Sequence, residues 1–152
     1  MISDLEKLRE NISKEINKNP NLITNNVKNI LEEYSGEDWK DYIEVSKEKY
    51  KKKTIFTEEK FDIHIITWNK YQKSKVHDHS QNGCIYKILM GNITELVYNA
   101  ESLKKISLSQ LSEGCLGNIS NNTGYHSMDN NNNDICVSIH IYSPPNYKTN
   151  YF

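Results

Sequence analysis

Arginine is nearly missing from this chain. Arg9 is the only one among 19 basic residues, and the rest are lysine, which lacks the planar fork that grips a carboxylate with two bonds. An excess of either charge is missing too, since 19 basic and 20 acidic residues leave a net charge of −1. No global field draws such a chain to nucleic acid or to a membrane surface. No apolar run approaches the roughly 20 residues of a membrane span. The first eleven residues alternate in charge and show no apolar leader core. Cys84, Cys115 and Cys136 cannot all pair, and no two make a Cys-x-x-Cys unit. These absences predict a cytoplasmic, reducing setting and no nucleic-acid or membrane partner, and a monomer is the simplest expectation.

What is present suits one hydrophobic core. The 152 residues are 36% hydrophobic and 26% charged, outside the disordered range. Ser3 is a fitting N-cap, and Leu5, Leu8, Ile12 and Ile16 recur at helical spacing, so residues 3 to 17 read as a helix ended before Pro20. A second helix is expected over 22–34, with Ile23, Val27, Ile30 and Leu31 on its apolar face. A short third is expected over 37–45. From Lys51 the pattern turns to short strands: 54–56, 61–68, 84–90, 93–98, 115–119 and 135–142. Met90-Gly91-Asn92 reads as a hairpin turn and the run 130–133 as a solvated loop. Short strands at this density predict a barrel or sandwich, and ten tyrosines suit one with a polar interior. We expect a single domain over 1–152, with a helical cap over 1–46 and a β-barrel over 47–152.

The chemistry concentrates in His77-Asp78-His79. On a strand, residues i and i+2 share a face, so two imidazoles can reach one ion. The plainer alternative is a polar turn between strands. His126, in Thr123-Gly124-Tyr125-His126, supplies a third nitrogen donor. A three-imidazole site fits zinc, copper, iron or nickel alike. Along Val137 to Tyr142, Ser138, His140 and Tyr142 share one face, with Val137, Ile139 and Ile141 on the other. That polar face lines a pocket, or is solvated on an edge strand. His64 reads as a structural or surface histidine.

Taken in order, these motifs resemble a known family. His77-x-His79, Cys84 and Gly91 resemble the first metal-binding motif of the cupin barrels, and His126 resembles the second. Trp68, Lys87-Ile88-Leu89, Gly124-Tyr125-His126 and Ser138-Ile139-His140-Ile141-Tyr142-Ser143-Pro144-Pro145 make the chain similar to cysteine dioxygenases, small cupin iron enzymes. The resemblance implies a mostly β, double-stranded β-helix (jelly-roll) barrel under an N-terminal helical cap. It implies that His77, His79 and His126 bind Fe(II). It also implies that Cys84 and Tyr142 form a thioether-linked pair, and that Ser138 and His140 orient Tyr142. The implied reaction joins a small-molecule thiol, cysteine, with O2, both oxygen atoms passing to sulfur to give cysteine sulfinic acid.

One position departs from the family pattern. Where those enzymes carry Tyr-x-Arg to hold the substrate carboxylate, this chain has Tyr50-Lys51-Lys52. Tyr50 and Lys52 are then the substrate-binding candidates, and Lys52 brings charge without the bidentate fork. Another small thiol, such as cysteamine or 3-mercaptopropionate, is the first alternative. A non-catalytic metal-binding cupin is the second.

Overall fold

The computed structural model describes residues 2–152. Helix α1 (Asp4–Lys18) begins where expected, with the Ser3 hydroxyl accepting from the Glu6 N–H at 3.2 Å. Its i, i+3, i+4 stripe, Leu5, Leu8, Ile12 and Ile16, is buried. Helix α2 (Asn25–Glu33) starts later than its apolar pattern suggests. Asn19 and Asn21 accept from backbone N–H groups two residues on, which holds that stretch in turns, and Thr24 becomes the N-cap. The third helical segment is only a 3₁₀ turn, Asp38–Tyr42. The Asp38 carboxylate accepts from the Leu5 N–H (2.9 Å) and the Tyr34 hydroxyl (2.7 Å), which pins this turn to α1 and α2.

Eight strands follow: β1 (Lys51–Thr57), β2 (Asp62–Trp68), β3 (Cys84–Met90), β4 (Asn92–Tyr98), β5 (Lys105–Ser112), β6 (Leu116–Ile119), β7 (Tyr125–Asp129) and β8 (Cys136–Tyr142). They form a five-stranded sheet, β1-β2-β8-β3-β6, and a three-stranded sheet, β5-β4-β7. Two of these strands are absent from the sequence reading. β5 is an exposed edge strand with Ile106 and Leu108 in solvent, so no buried alternation marks it. β7 has only five residues, and His126 lies inside it.

Met90-Gly91-Asn92 is a corner, not a hairpin turn. It carries the chain from one sheet into the other, since β3 and β4 are not partners. Gly91 adopts φ +80°, and a Cβ there would lie 2.6 Å from the Ile135 carbonyl oxygen. Nor is the 130–133 loop simply solvated. Asn130 is fully buried, and its amide donates to the carbonyls of Trp68, Asn69 and Asp134. It braces the end of β2.

Period two sorts the five-stranded sheet into two faces. Ile63, Ile65, Ile85, Val137, Ile139 and Ile141 point outward and join the apolar stripes of α1 and α2 in one core. Ile66, Trp68, Cys84, Tyr86, Ile88 and Cys136 point inward, where Ile93 and Met128 of the second sheet meet them. Lys87, on the helical side, reaches over to donate to the carbonyls of Leu31, Glu32 and Tyr34 at the end of α2. The helical cap thus covers the outer face of the sheet, and the inner face is left for chemistry.

Candidate metal centre

Each histidine of the trio is placed by its backbone first. His77 and His79 lie in the extended segment between β2 and β3, not in a ladder strand as the i, i+2 reading expected. His77 and His126 exchange both backbone N–H···O bonds (3.0 and 3.2 Å), which joins that segment to β7. The Asn121 side chain accepts from the His79 N–H and donates to the His79 carbonyl, each at 3.0 Å. Asp78 points the other way, accepting from the backbone and side chain of Asn150.

The ring nitrogens converge, all three ligand atoms lying within 4.8 Å of one another. His77 Nδ1 sits 2.7 Å from the Lys75 carbonyl, and His126 Nδ1 sits 2.7 Å from Glu95 Oε2. These acceptors assign the proton to Nδ1 in both rings and leave the Nε2 lone pairs free. His79 Nε2 and His126 Nε2 face each other at 2.9 Å, and His79 Nδ1 is buried with no partner among the described residues. Burial holds all three pKa values below the ordinary histidine range, helped at His79 and His126 by neighbouring imidazoles and at His77 by the Lys52 charge. Three neutral imidazoles whose ring nitrogens turn on one point are a fit donor set for a metal ion.

The polar face of β8 stands beside them. β8 is a central strand between β2 and β3, buried on both faces, so the solvated-edge alternative is excluded. The Trp68 indole N–H donates to Ser138 Oγ (3.3 Å), and Ser138 Oγ lies 2.8 Å from His140 Nε2. His140 Nδ1 then lies 3.5 Å from the Tyr142 hydroxyl and 3.8 Å from Cys84 Sγ. Cys84 and Tyr142 are direct cross-strand partners, each within reach of His140 Nδ1. Burial pushes both pKa values above their ordinary ranges, so thiol and phenol are neutral at rest.

Tyr50 and Lys52 complete the wall. Lys52 pairs with Ile66 across β1 and β2, which gives it the inward parity. Lys52 as a whole is exposed, yet its ammonium lies 4.4 Å over the Tyr142 ring, and partial desolvation there lowers its pKa. Tyr50 stacks on Trp68, with ring centroids 4.4 Å apart. A cavity of about 40 Å³ lies among Trp68, His77, His126, His140 and Tyr142. A cleft of about 450 Å³ adjoins it, and Lys52, Tyr142 and Thr149 line both. Another cleft, about 400 Å³, lies on the helical side against Lys87 and Leu89, far from the imidazoles. Size alone does not locate the chemistry. His64 is outside the trio: it is buried, bonded to Thr54 (2.9 Å) and 3.1 Å from Asp62.

Three residues of this region are missing from the sequence reading: Glu95, Tyr86 and Asn121. Glu95 left one trace, as the single charged residue of β4.

Known proteins resemble this arrangement. Cysteine dioxygenase type 1 of Danio rerio is 27% identical over 129 residues, and that of Homo sapiens 28% identical over 128. Each alignment covers 78% of this chain and 64% of the relative, so the chain spans less than two thirds of the length of the curated proteins that it matches. Among solved structures, a Thermus thermophilus protein superposes with a TM-score of 0.60 at 21% identity, over 71% of this chain and 95% of that one. A Klebsiella pneumoniae protein with a double-stranded β-helix domain gives 0.61 at 12% identity, over 74% and 91%. These likenesses carry the fold, a mostly β cupin barrel under N-terminal helices. Residues 6–152 match the family described as Cysteine dioxygenase type I, and the chain belongs to that family.

Proposed function

We propose that the protein is an iron-dependent dioxygenase that oxidises the thiol of free L-cysteine to cysteine sulfinic acid. One observation carries the reading: three convergent imidazoles stand beside the Ser138–His140–Tyr142 face, and His77, His126, His140 and Tyr142 line one cavity. His77, His79 and His126 would hold Fe(II), which supplies the redox chemistry that lets O2 react with a thiol. The reaction balances without an outside reductant, because sulfur loses four electrons and O2 accepts four as both oxygen atoms join sulfur.

The chain's own groups bind and orient. Three neutral imidazoles leave the cation's charge undiminished, which favours an anionic thiolate over a neutral thiol. Lys52, at the junction of cavity and cleft, meets the substrate carboxylate as a point charge. Tyr50, stacked on Trp68, closes the same wall. His140, held by Ser138, keeps the Tyr142 hydroxyl aimed into the cavity, and a thioether between Cys84 and Tyr142 would fix it there permanently. The cap and barrel act as one cytoplasmic domain.

The test is oxygen consumption by Fe(II)-loaded protein with cysteine, with the sulfinate identified by mass spectrometry. Matching amounts of oxygen and sulfinate, both lost in His77→Ala, support the reading. Lys52 favours a second reading, in which cysteamine or 3-mercaptopropionate is the better substrate; uptake with either but not with cysteine decides for it. No turnover with any thiol leaves a non-catalytic metal-binding cupin.

A further inference from the structure

Behind the trio lies a second layer of contacts that treats the three imidazoles unequally. His126 Nδ1 faces a carboxylate, Glu95, at 2.7 Å; His77 Nδ1 faces a neutral carbonyl; His79 Nδ1 faces nothing among the described residues. The same Glu95 oxygen, Oε2, also accepts from the Tyr86 hydroxyl. Glu95 is 7% exposed and Tyr86 fully buried, so water does not compete for either bond.

Tyr86 is itself locked in place. Gly117, its partner across β3 and β6, leaves the room its ring fills, since a Cβ there would lie 2.3 Å from Tyr86 Cε2. The ring stacks on His140, with centroids 5.1 Å apart and an interplanar angle of 23°. One tyrosine therefore touches both halves of the site, through a hydrogen bond on the His126 side and a ring face on the His140 side.

We propose that Glu95 and Tyr86 are a positioning pair: Glu95 fixes the His126 tautomer and strengthens it as a donor, and Tyr86 holds Glu95 in register with His140. This rests on reading the three histidines as a metal site. A carboxylate behind a ligating imidazole raises its basicity and fixes its rotation, and losing such a partner typically costs about 10- to 100-fold in metal affinity.

The test is a Co(II) titration of the metal-free protein, read from the absorption bands of the bound ion. Glu95→Gln is expected to weaken Co(II) binding by about 10- to 100-fold and to shift the bands. Tyr86→Phe keeps the ring and its stacking, and is expected to show the same changes to a smaller degree. Thermal unfolding of the metal-free variants separates the roles, because a purely structural role would lower Tm and leave the bands of the loaded protein unmoved. Unchanged affinity and bands in both variants overturn the pairing. If Glu95→Gln does not fold, Tyr86→Phe decides alone. Thiol oxidation is scored separately. Wild-type turnover with unchanged Co(II) binding in the variants overturns the pairing and leaves the dioxygenase reading. Weakened binding without any wild-type turnover does the reverse, and a wild type that binds no Co(II) overturns both.

Discussion

Strands β2, β3 and β8 have two faces that share a backbone and little else. Outward, β8 presents Val137, Ile139 and Ile141 to the helices; inward, it presents His140 and Tyr142 to the cavity, with Ser138 buried behind His140. The outer face is held by burial, at roughly 25 cal/mol for each Å² of apolar surface removed from water. The inner face is held by complementarity, because a buried polar group costs free energy unless it is partnered. Trp68, Ser138 and His140 partner one another in series. Parity therefore divides stability from chemistry within a single strand. A slip of one residue would exchange the two faces, which explains why a central strand bordered on both sides is a secure place for such a group.

Substitutions can test how complete that division is. The largest effect is expected on the inner side, where His126→Ala should cost more metal affinity than the roughly 10- to 100-fold carried by outer partners. Metal titration with parallel thermal melts checks it, and the metal-free variant should still unfold cooperatively. On the outer side, Ile139→Ala should lower unfolding free energy by about 2–5 kcal/mol in urea titrations while metal affinity stays near wild type. A large loss of affinity there would show that the two faces are coupled.

A gentler test uses pH. Burial lowers the pKa of all five histidines below the ordinary value near 6.5. Below that pH the unfolded chain takes up protons that the folded chain excludes, so their contribution is full above about 6.5 and lost as the pH falls. Glu95 and Asp129 are shifted upward by burial and act in the opposite sense, their contribution being lost as the pH rises. The histidines set the upper edge of the profile, because their unfolded value, about 6.5, lies above the ordinary carboxyl value of about 4. Tm of the metal-free protein should be level above about pH 6.5 and decline below it, and a level profile through that range would contradict the assignment of neutral, buried imidazoles.

The division between faces was legible in the sequence, and its extent was not. Alternation along Val137 to Tyr142 needs only period two, so the face that carries Ser138, His140 and Tyr142 could be read directly. The spacing of His77 and His79 suggested two rings on one side, and the structure brings them together by another route, since a bridge to His126 and the Asn121 amide align them where a strand was expected. Glu95, Tyr86 and Asn121 were hidden because their roles rest on contacts between separate strands and loops. β5 was hidden because a solvent-facing edge strand lacks the buried alternation that reveals a strand. Gly91 was legible as a turn, but whether that turn pairs two strands or parts two sheets is a property of topology.

The chain has two tryptophans, and the fold gives one to each face. Trp39 packs in the outer core with the helices, while Trp68 lines the cavity and donates to Ser138. With Trp39 replaced by phenylalanine, the fluorescence that remains reports on occupancy of the cavity. With Trp68 replaced instead, it reports on release of the helical cap. The two compartments can thus be followed by light in the same protein.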